Sequence, residues 1–435
     1  MAEPVNETER RTMSKVVRRL VPFLMVCYFI AYLDRVNVGF AGATMSKDLG
    51  LTAAAFGGAA GIFFIAYFFF EVPSNLALHK FGARRWIARI MVTWGLVSGA
   101  QAFVAGGASF NIVRLLLGVA EAGFFPGIIF FLTLWFPSAY RARIVGLFMF
   151  AIPISTVIGS PISGLILGLE GVGGLHGWQW MFIIEAVPAL LMSVAVLAYL
   201  TDRPLEAQWL EPEERTWLQN LLDAEQANRE AHVRMTWLQS MANPRVVLLG
   251  CVYMALNIPQ YGLSFFLPQI VKAFGVSNVE AGFITALPYV VGAVGMLVWS
   301  RHSDRTGERV WHCVIPFLAM VVGLGLAASI SEPAAKMVVL CVAAWGFFSI
   351  LPVFWTLPTA FLSGAGAAAG IAAVNSIGNL GGYFGPQAFG YLKTATGGDT
   401  ASLVFLACAA LVGAVLVLAL GHNPALERAA APPVA

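Results

Sequence analysis

The chain has 435 residues, of which 59% are hydrophobic and only 11% charged, and its mean hydropathy is +0.77. Soluble domains carry roughly 25% charged residues, so this composition excludes a water-solvated globular protein and describes a chain solvated mostly by lipid. The net charge of +3 does not argue for a nucleic-acid partner, because the placement of the basic residues has a topological explanation.

A helix needs about 20 apolar residues to cross about 30 Å of hydrocarbon. Segments of that length run over 20–41, 54–78, 86–106, 110–135, 143–168, 178–200, 246–271, 281–300, 311–330, 337–358, 366–392 and 400–421, which predicts an all-α membrane protein with twelve transmembrane helices. Such long unbroken runs exclude a β-barrel, whose strands alternate over about ten residues. The polar residues 202–243 divide the spans six and six. The expected units are therefore an N-terminal segment 1–19, a six-helix bundle 20–201, a linker 202–243, a second six-helix bundle 244–422 and a tail 423–435. The first span is too long for the apolar region of a signal peptide and no small-residue cleavage pattern follows it, so the first helix is expected to stay.

Of the 26 Lys and Arg, Lys47, Lys272, Lys336 and Lys393 fall in one set of alternate loops, and Arg35 and Arg114 fall within spans. The rest lie on the other side, a bias that predicts both termini cytoplasmic. Cys27, Cys251, Cys313, Cys341 and Cys408 sit in or at the edge of apolar spans without C-x-x-C spacing, and they read as small packing residues rather than disulfides or metal ligands.

The chain reads as duplicated. One shift sets Lys80-Phe81-Gly82-Ala83-Arg84-Arg85 on Arg305-Thr306-Gly307-Glu308-Arg309-Val310 and also Pro161 on Pro386. Parallel six-span halves with the ligand held between them near the midplane are a transporter architecture. In the linker, Glu211-Pro212-Glu213-Glu214-Arg215 followed by Trp217, Leu218, Leu221 and Leu222 predicts a short amphipathic helix along the cytoplasmic face. Gly159 and Gly164 in the fifth span, and Gly378, Gly381, Gly382, Gly385 and Gly390 in the eleventh, permit close helix approach.

Asp34 and Arg35 in the first span and Arg114 and Glu121 in the fourth are ionised groups at membrane depth. Each costs roughly 2.5 to 3.5 kcal/mol to insert at a helix centre, so such groups mark a polar pathway. Arg114 and Glu121 are two turns apart, about 10 Å on nearly one face, and all four could share one aqueous pocket. A guanidinium presents a planar fork to a carboxylate, which makes Arg35 the first candidate for holding an anion. Arg114 is placed either on a second acidic group or in a pair with Asp34 or Glu121. Burial favours a protonated carboxyl and a nearby guanidinium favours the carboxylate, so exchanging partners around Glu121 can load and release a proton. Glu71 and Glu185, near prolines or a rim, read as backbone-capping groups.

The loop Gly295 to Arg309, with Asp304, Arg305, Gly307 and Arg309, resembles the motif that follows the second span of each half in the major facilitator superfamily. Leu76 to Arg85, with Gly82, Arg84 and Arg85, resembles it too, although His79 stands where the motif has Asp. Further stretches resemble its anion:cation symporter family. They are Tyr32-Leu33-Asp34-Arg35-Val36-Asn37, Glu71-Val72-Pro73-Ser74-Asn75, Arg114 to Gly127 with Glu121, Trp178 to Ala189, and Tyr261 to Lys272. Their density is similar to that of bacterial tartrate, sugar-acid and aromatic-acid permeases.

The resemblance implies the major facilitator fold, a location in the bacterial inner membrane, anion binding at Arg35 and proton coupling through Asp34 and Glu121, with protons as coupling ion and no cofactor or metal. It implies gating by the two loops and ligand contacts from Tyr32 and Tyr67. Asn257, Gln260 and Tyr261, Trp355 and Thr356, and Asn375 and Asn379 are the polar candidates from the second half. Amides and hydroxyls suit a polyhydroxylated acid, and aromatics suit a ring. Proton-coupled uptake of a small carboxylate is the leading expectation; an aromatic carboxylate, anion exchange or facilitated diffusion stay open, as does a membrane sensor. One chain holds both halves, so a monomer suffices. An enzyme is not expected: His79, His176, His232, His302, His312 and His422 lie at span ends or in loops, and the sequence has no metalloprotease, nucleophile-elbow or phosphate-loop motif.

Overall fold

The computed structural model describes residues 7–230, 239, 242–361 and 366–421; Arg234, Arg428, His232, His422 and the expected tail 423–435 lie outside the described residues. The chain is helical, with no strand among those residues. In order the helices are α1 (Glu7–Asp48), α2 (Ala53–Phe81), α3 (Ala83–Ala100), α4 (Gly107–Glu121), α5 (Phe124–Thr133), α6 (Ser138–Met149), α7 (Ala151–Ile166) and α8 (Gly177–Tyr199). They continue as α9 (Pro212–Glu230), α10 (Pro244–Lys272), α11 (Asn278–Thr306), α12 (Val310–Ser329), α13 (Pro333–Phe361), α14 (Gly366–Asn379), α15 (Gly381–Thr396) and α16 (Thr400–Leu420).

Among the described residues, 10 helical segments are long and apolar enough to cross a membrane, with α4–α5 and α6–α7 each counting as one. The expected spans 86–106 and 366–392 are not among them. The helix that carries the first, α3, opens with Arg84, Arg85 and Arg89, and the second is interrupted at Leu380 between α14 and α15. Large apolar side chains such as Phe69, Leu76, Leu191 and Val194 face outward, as a lipid-solvated surface requires. All five cysteines are free, and Cys408 lies on that outer surface rather than in the packing where it was expected.

Residues 7–19, expected as a separate polar segment, instead continue α1. Nothing in Arg10 to Arg19 breaks a helix, and α9 supplies countercharges: Lys15 Nζ lies 2.8 Å from Glu214 and Arg11 Nε 2.9 Å from the same carboxylate. The expected amphipathic linker helix forms as α9, burying Leu218 and Leu222.

The first half of the chain meets the second where α2 packs on α15, α7 on α11 and α1 on α10. Near the α1–α2 turn these approaches are backbone to backbone. A Cβ on Gly57 would run into the Pro386 carbonyl, and one on Gly390 into that of Ala53. Gly164 faces the Asn278 carbonyl and Gly282 faces that of Ser160 in the same way. This end of the bundle is closed by small residues, and the opposite end carries α9.

Candidate functional site

The fourth expected span is a broken helix. Ala122 leaves the helical region with φ −53° and ψ 131°, and Gly123 follows at φ 86°, a conformation that glycine adopts without a Cβ penalty. Glu121 is therefore the last residue of α4. Its carboxylate, 1% exposed, pairs directly with the guanidinium of Arg35 on α1. The Arg35 guanidinium also lies 5.5 Å from the Phe63 ring centre and 5.7 Å from that of Tyr67.

Arg35 forms part of the wall of a small cavity between the two halves of the chain. The first half contributes Tyr28, Tyr32, Arg35 and Tyr67, and the second contributes Tyr253, Asn257, Gln260, Tyr261, Asn375 and Asn379. Gln260 Nε2 donates to the Tyr32 hydroxyl at 2.5 Å, Asn257 Nδ2 to the Gly378 carbonyl at 3.0 Å, and Gln260 Oε1 has no partner. A polar atom left without a partner at a cavity wall is a ready contact for a ligand.

The other ionised groups are not part of this wall. Asp34 is buried behind it, accepting from Asn37 Nδ2 at 3.0 Å and from Trp94 Nε1 and Ser98 Oγ. Arg114, with no solvent exposure, donates to the Ala60 carbonyl at 3.0 Å and lies 5.1 Å from the Phe63 ring centre. The shared pocket for four charges is thus divided: Arg35 lines the cavity, Glu121 is buried against it as its ion-pair partner, and Asp34 and Arg114 are held inside the first half. Trp355 and Thr356 also lie off the wall. Trp355 packs edge-on to Tyr253, and the Thr356 hydroxyl donates to the Val353 carbonyl at 2.7 Å. Glu71 and Glu185, expected to cap backbone, bond side chains instead. Glu71 accepts from Asn375 and Ser376, and Glu185 accepts from Ser163.

Residues 24–386 match the family model for the Major Facilitator Superfamily. The chain belongs to the major facilitator superfamily. Among relatives in this superfamily, a "Putative tartrate transporter" of Agrobacterium vitis is 52% identical over 418 residues, covering 96% of this chain and 93% of the relative. A "Quinolone resistance transporter" of Acinetobacter baumannii is 42% identical, covering 94% of each chain. In fold the chain is similar to the xylose transporter XylE from E. coli in a partially occluded inward open conformation, with a TM-score of 0.74 at 16% identity, covering 94% of this chain and 98% of that one. The protein is a multi-pass secondary-active transporter, not an enzyme.

The two loop motifs of this major facilitator transporter are built differently. In the second, Gly307 closes α11 at φ 68°, and Arg309 at the start of α12 pairs with Asp304 of α11 at 2.8 Å and donates to Ser303 Oγ at 2.7 Å. In the first, Gly82 turns at φ 87° between α2 and α3, and Asp202 beyond α8 accepts the Arg84 backbone N–H at 2.8 Å. His79, in the motif's Asp position, packs against the Phe130 ring at a tilt of 57° instead. Arg85 and Arg305 are exposed.

Tyr28 and Tyr253 escaped the sequence reading although the spacing contained them. Tyr28 lies one turn before Tyr32 on α1, and Tyr253, Asn257 and Tyr261 recur at helical intervals on α10. Asp202 carried no signal beyond being an acid at the end of an apolar run.

Proposed function

We propose that this transporter carries a small organic carboxylate into the cell together with a proton. The observation that carries the reading is that Arg35, at the wall of the central cavity, is paired with the buried Glu121 carboxylate. Glu121 ends α4, where the unsatisfied carbonyls disfavour a second negative charge, so Arg35 is the group that holds it ionised. A proton on Glu121 releases the guanidinium, whose planar fork then takes the substrate carboxylate. Departure of the anion returns Arg35 to Glu121 and expels the proton. Asp34, whose carboxyl is hydrogen-bonded in the same half, is proposed as a second coupling group and Arg114 as a fixed countercharge for both acids. Tyr32, Tyr67, Asn257, Gln260, Tyr261, Asn375 and Asn379 are proposed to bind the rest of the substrate, with Trp355 and Thr356 behind them. The loops around Gly82, Arg84 and Arg85, and around Asp304, Arg305, Gly307 and Arg309, are proposed as the moving latches.

The architecture we infer is twelve spans in two pseudo-symmetric six-helix bundles, 20–201 and 244–422, joined by the linker 202–243. The pairing of α2 with α15 and of α7 with α11 supports it, since the repeat then sets the second span of each half against the fifth span of the other. The bias of the basic residues supports an orientation with α9 and both termini on the cytoplasmic side of an inner membrane. The glycine-sealed end is then the outer one, and cargo leaves toward α9.

Tartrate or a sugar acid is the proposed cargo. The similarity to the Agrobacterium protein supports it, as do the amides and hydroxyls that line the central cavity. The ring of Tyr28, Tyr32, Tyr67, Tyr253 and Tyr261 favours an aromatic carboxylate as the second reading. Uptake of labelled acids into proteoliposomes, with and without an inward proton gradient, tests both. The expected result is gradient-stimulated uptake, its loss in Glu121→Gln with exchange partly kept, and loss of binding in Arg35→Ala. Unchanged accumulation in Glu121→Gln would remove the coupling assignment and leave exchange or facilitated diffusion.

A further inference from the structure

Arg85 and Arg89, one turn apart at the start of α3, and Lys80 at the end of α2 have no carboxylate partner among the described residues. Arg84 between them is committed, its backbone N–H to Asp202 and its Nε to the Leu197 carbonyl at 2.7 Å. Arg89 is nonetheless held in place. Its guanidinium carbon lies 3.9 Å from the Trp86 ring centre, and Trp86 Nε1 donates to Ser74 Oγ of α2 at 3.0 Å. Phe81, 52% exposed, stacks on Trp86 with ring centres 5.5 Å apart and planes 13° apart, and Lys80 Nζ lies 5.6 Å from the Phe81 ring. Lys80, Phe81, Trp86 and Arg89 thus form one continuous row of cation, ring, ring and cation. A guanidinium laid on an aromatic face keeps the donors along its edge for an oxyanion, and being fixed beforehand it loses less freedom on binding.

Each cation caps an apolar stripe. Val92 and Leu96, 37% and 59% exposed, follow Arg89 three and seven residues on, which is the same face of α3. On α2 the exposed Leu76 and Val72 precede Lys80 by four and eight residues. Two lipid-facing stripes therefore end in cations, with two stacked rings between them. The repeat supplies an internal comparison. The shift that sets Lys80 on Arg305 also sets Trp86 on Trp311, but it sets Arg85 on Val310 and Arg89 on Val314. The second half builds its loop without this basic pair, so the pair answers to something the shared loop motif does not require.

We propose that Arg85 and Arg89 bind the phosphate of an anionic phospholipid whose acyl chains lie along the two stripes, with Lys80 adding its charge from the far end of the aromatic row. Guanidinium–phosphate hydrogen bonds are charge-assisted and bidentate, and clusters of cations at the membrane surface draw anionic headgroups. The charge balance selects the headgroup. Asp202, the acid that faces this loop, is turned to the Arg84 N–H, so the ammonium of a zwitterionic lipid gains no free carboxylate to offset the three cations. The bound lipid spans α2 and α3 on either side of the Gly82 turn and braces the first loop motif. This site goes beyond the transport reading, because lipid binding neither needs nor reports a substrate.

Native mass spectrometry of the purified, delipidated full chain tests it by counting the lipid retained on titration with phosphatidylglycerol or with phosphatidylcholine of the same chains. Phosphatidylglycerol is expected to be retained more tightly by roughly 5-fold or more. Arg89→Gln is expected to lose most of that preference. Arg18→Gln, which removes the same charge from an exposed position on α1, is expected to keep it. Trp86→Leu should weaken retention by freeing Arg89, and Trp86→Phe, which keeps a ring under the guanidinium, should restore it. Equal retention of the two lipids by the unaltered protein overturns the proposal, as does an undiminished preference in Arg89→Gln. An equal loss in Arg18→Gln would reduce the effect to diffuse surface charge and overturn the site. Displacement of the lipid by an equal concentration of inorganic phosphate would show that the acyl chains contribute nothing and overturn the lipid assignment.

Discussion

Asn375 Nδ2 lies 2.9 Å from Glu71 Oε1 and Ser376 Oγ lies 3.2 Å from Glu71 Oε2, so one buried carboxylate ties α2 to α14. Glu71 is one turn past Tyr67 along α2, on the α9 side of the cavity that Tyr67 and Asn375 line. Along α2 the order is therefore glycine seal, cavity, polar tie.

Cutting the polar tie should favour opening toward α9. Hydrogen bonds to a charged group contribute about 1.5–3 kcal/mol, so Glu71→Ala should shift the opening equilibrium by roughly 10- to 100-fold. Distance distributions between spin labels on α2 and α14 measure this directly. A distribution identical to that of the unaltered protein would mean that the contact does not restrain opening.

Arg35→Lys keeps the charge and loses the fork. With one of two parallel charge-assisted bonds gone, binding of a carboxylate substrate should weaken by roughly 10-fold or more, about 1.5 kcal/mol. Calorimetric titration of the purified variant checks it, and unchanged affinity would show that the carboxylate is held elsewhere.

The spans were legible because hydrocarbon imposes a length of about 20 apolar residues, and that constraint acts on each segment locally. It is weaker where the segment's own chemistry is mixed. Arg84, Arg85 and Arg89 load the front of α3, and the polar start of α1 hides a helix that only the acids of α9 explain. The cavity wall was largely legible because Tyr32, Asn257, Gln260 and Tyr261 are polar residues at helical spacing in apolar runs.

Pairing among the charged groups was not legible. Asp34 and Arg35 are adjacent and point about 100° apart, so one of them faces the cavity and the other does not, and no pattern in α1 says which. The answer comes from α3, where Trp94 and Ser98 claim Asp34, and from the break at Gly123, which stops α4 with Glu121 beside Arg35. In the same way Asp202 takes the Arg84 turn that His79 cannot hold by charge.

The contact between α1 and α9 should be acid-sensitive. Burial works to raise the Glu214 pKa, but the hydrogen bonds from Lys15 and the Glu211 backbone N–H outweigh it and leave the carboxyl below its ordinary 4.5. A depressed folded pKa means that the stabilisation is whole above about pH 4.5 and is lost as the pH falls through the lower folded value. The ion pairs are half-exposed on the α1 side, so on the order of 1 kcal/mol is at stake. Glu214→Gln should then lower amide protection in α9 by about 5-fold at neutral pH. Protection in the unaltered protein should fall to the variant's level below pH 4.5, and equal protection in both proteins at neutral pH would contradict the assignment.

Closure at the other end should depend on the absence of side chains. A Cβ at Gly57 meets the Pro386 carbonyl and one at Gly164 meets that of Asn278, and because both neighbours are backbone, relief requires the helices to part. Overpacking of this kind costs about 1–3 kcal/mol, charged only against the state in which α2 touches α15 and α7 touches α11. Gly57→Val should therefore shift the equilibrium toward separation at this end, raising labelling of a cysteine placed in the cavity by an impermeant thiol reagent added from this face by roughly 5-fold or more. Gly58→Ala is the control, because a Cβ there meets only the flexible Gln387 side chain. Equal labelling in Gly57→Val and Gly58→Ala would show that the backbone contact is not what holds this end shut.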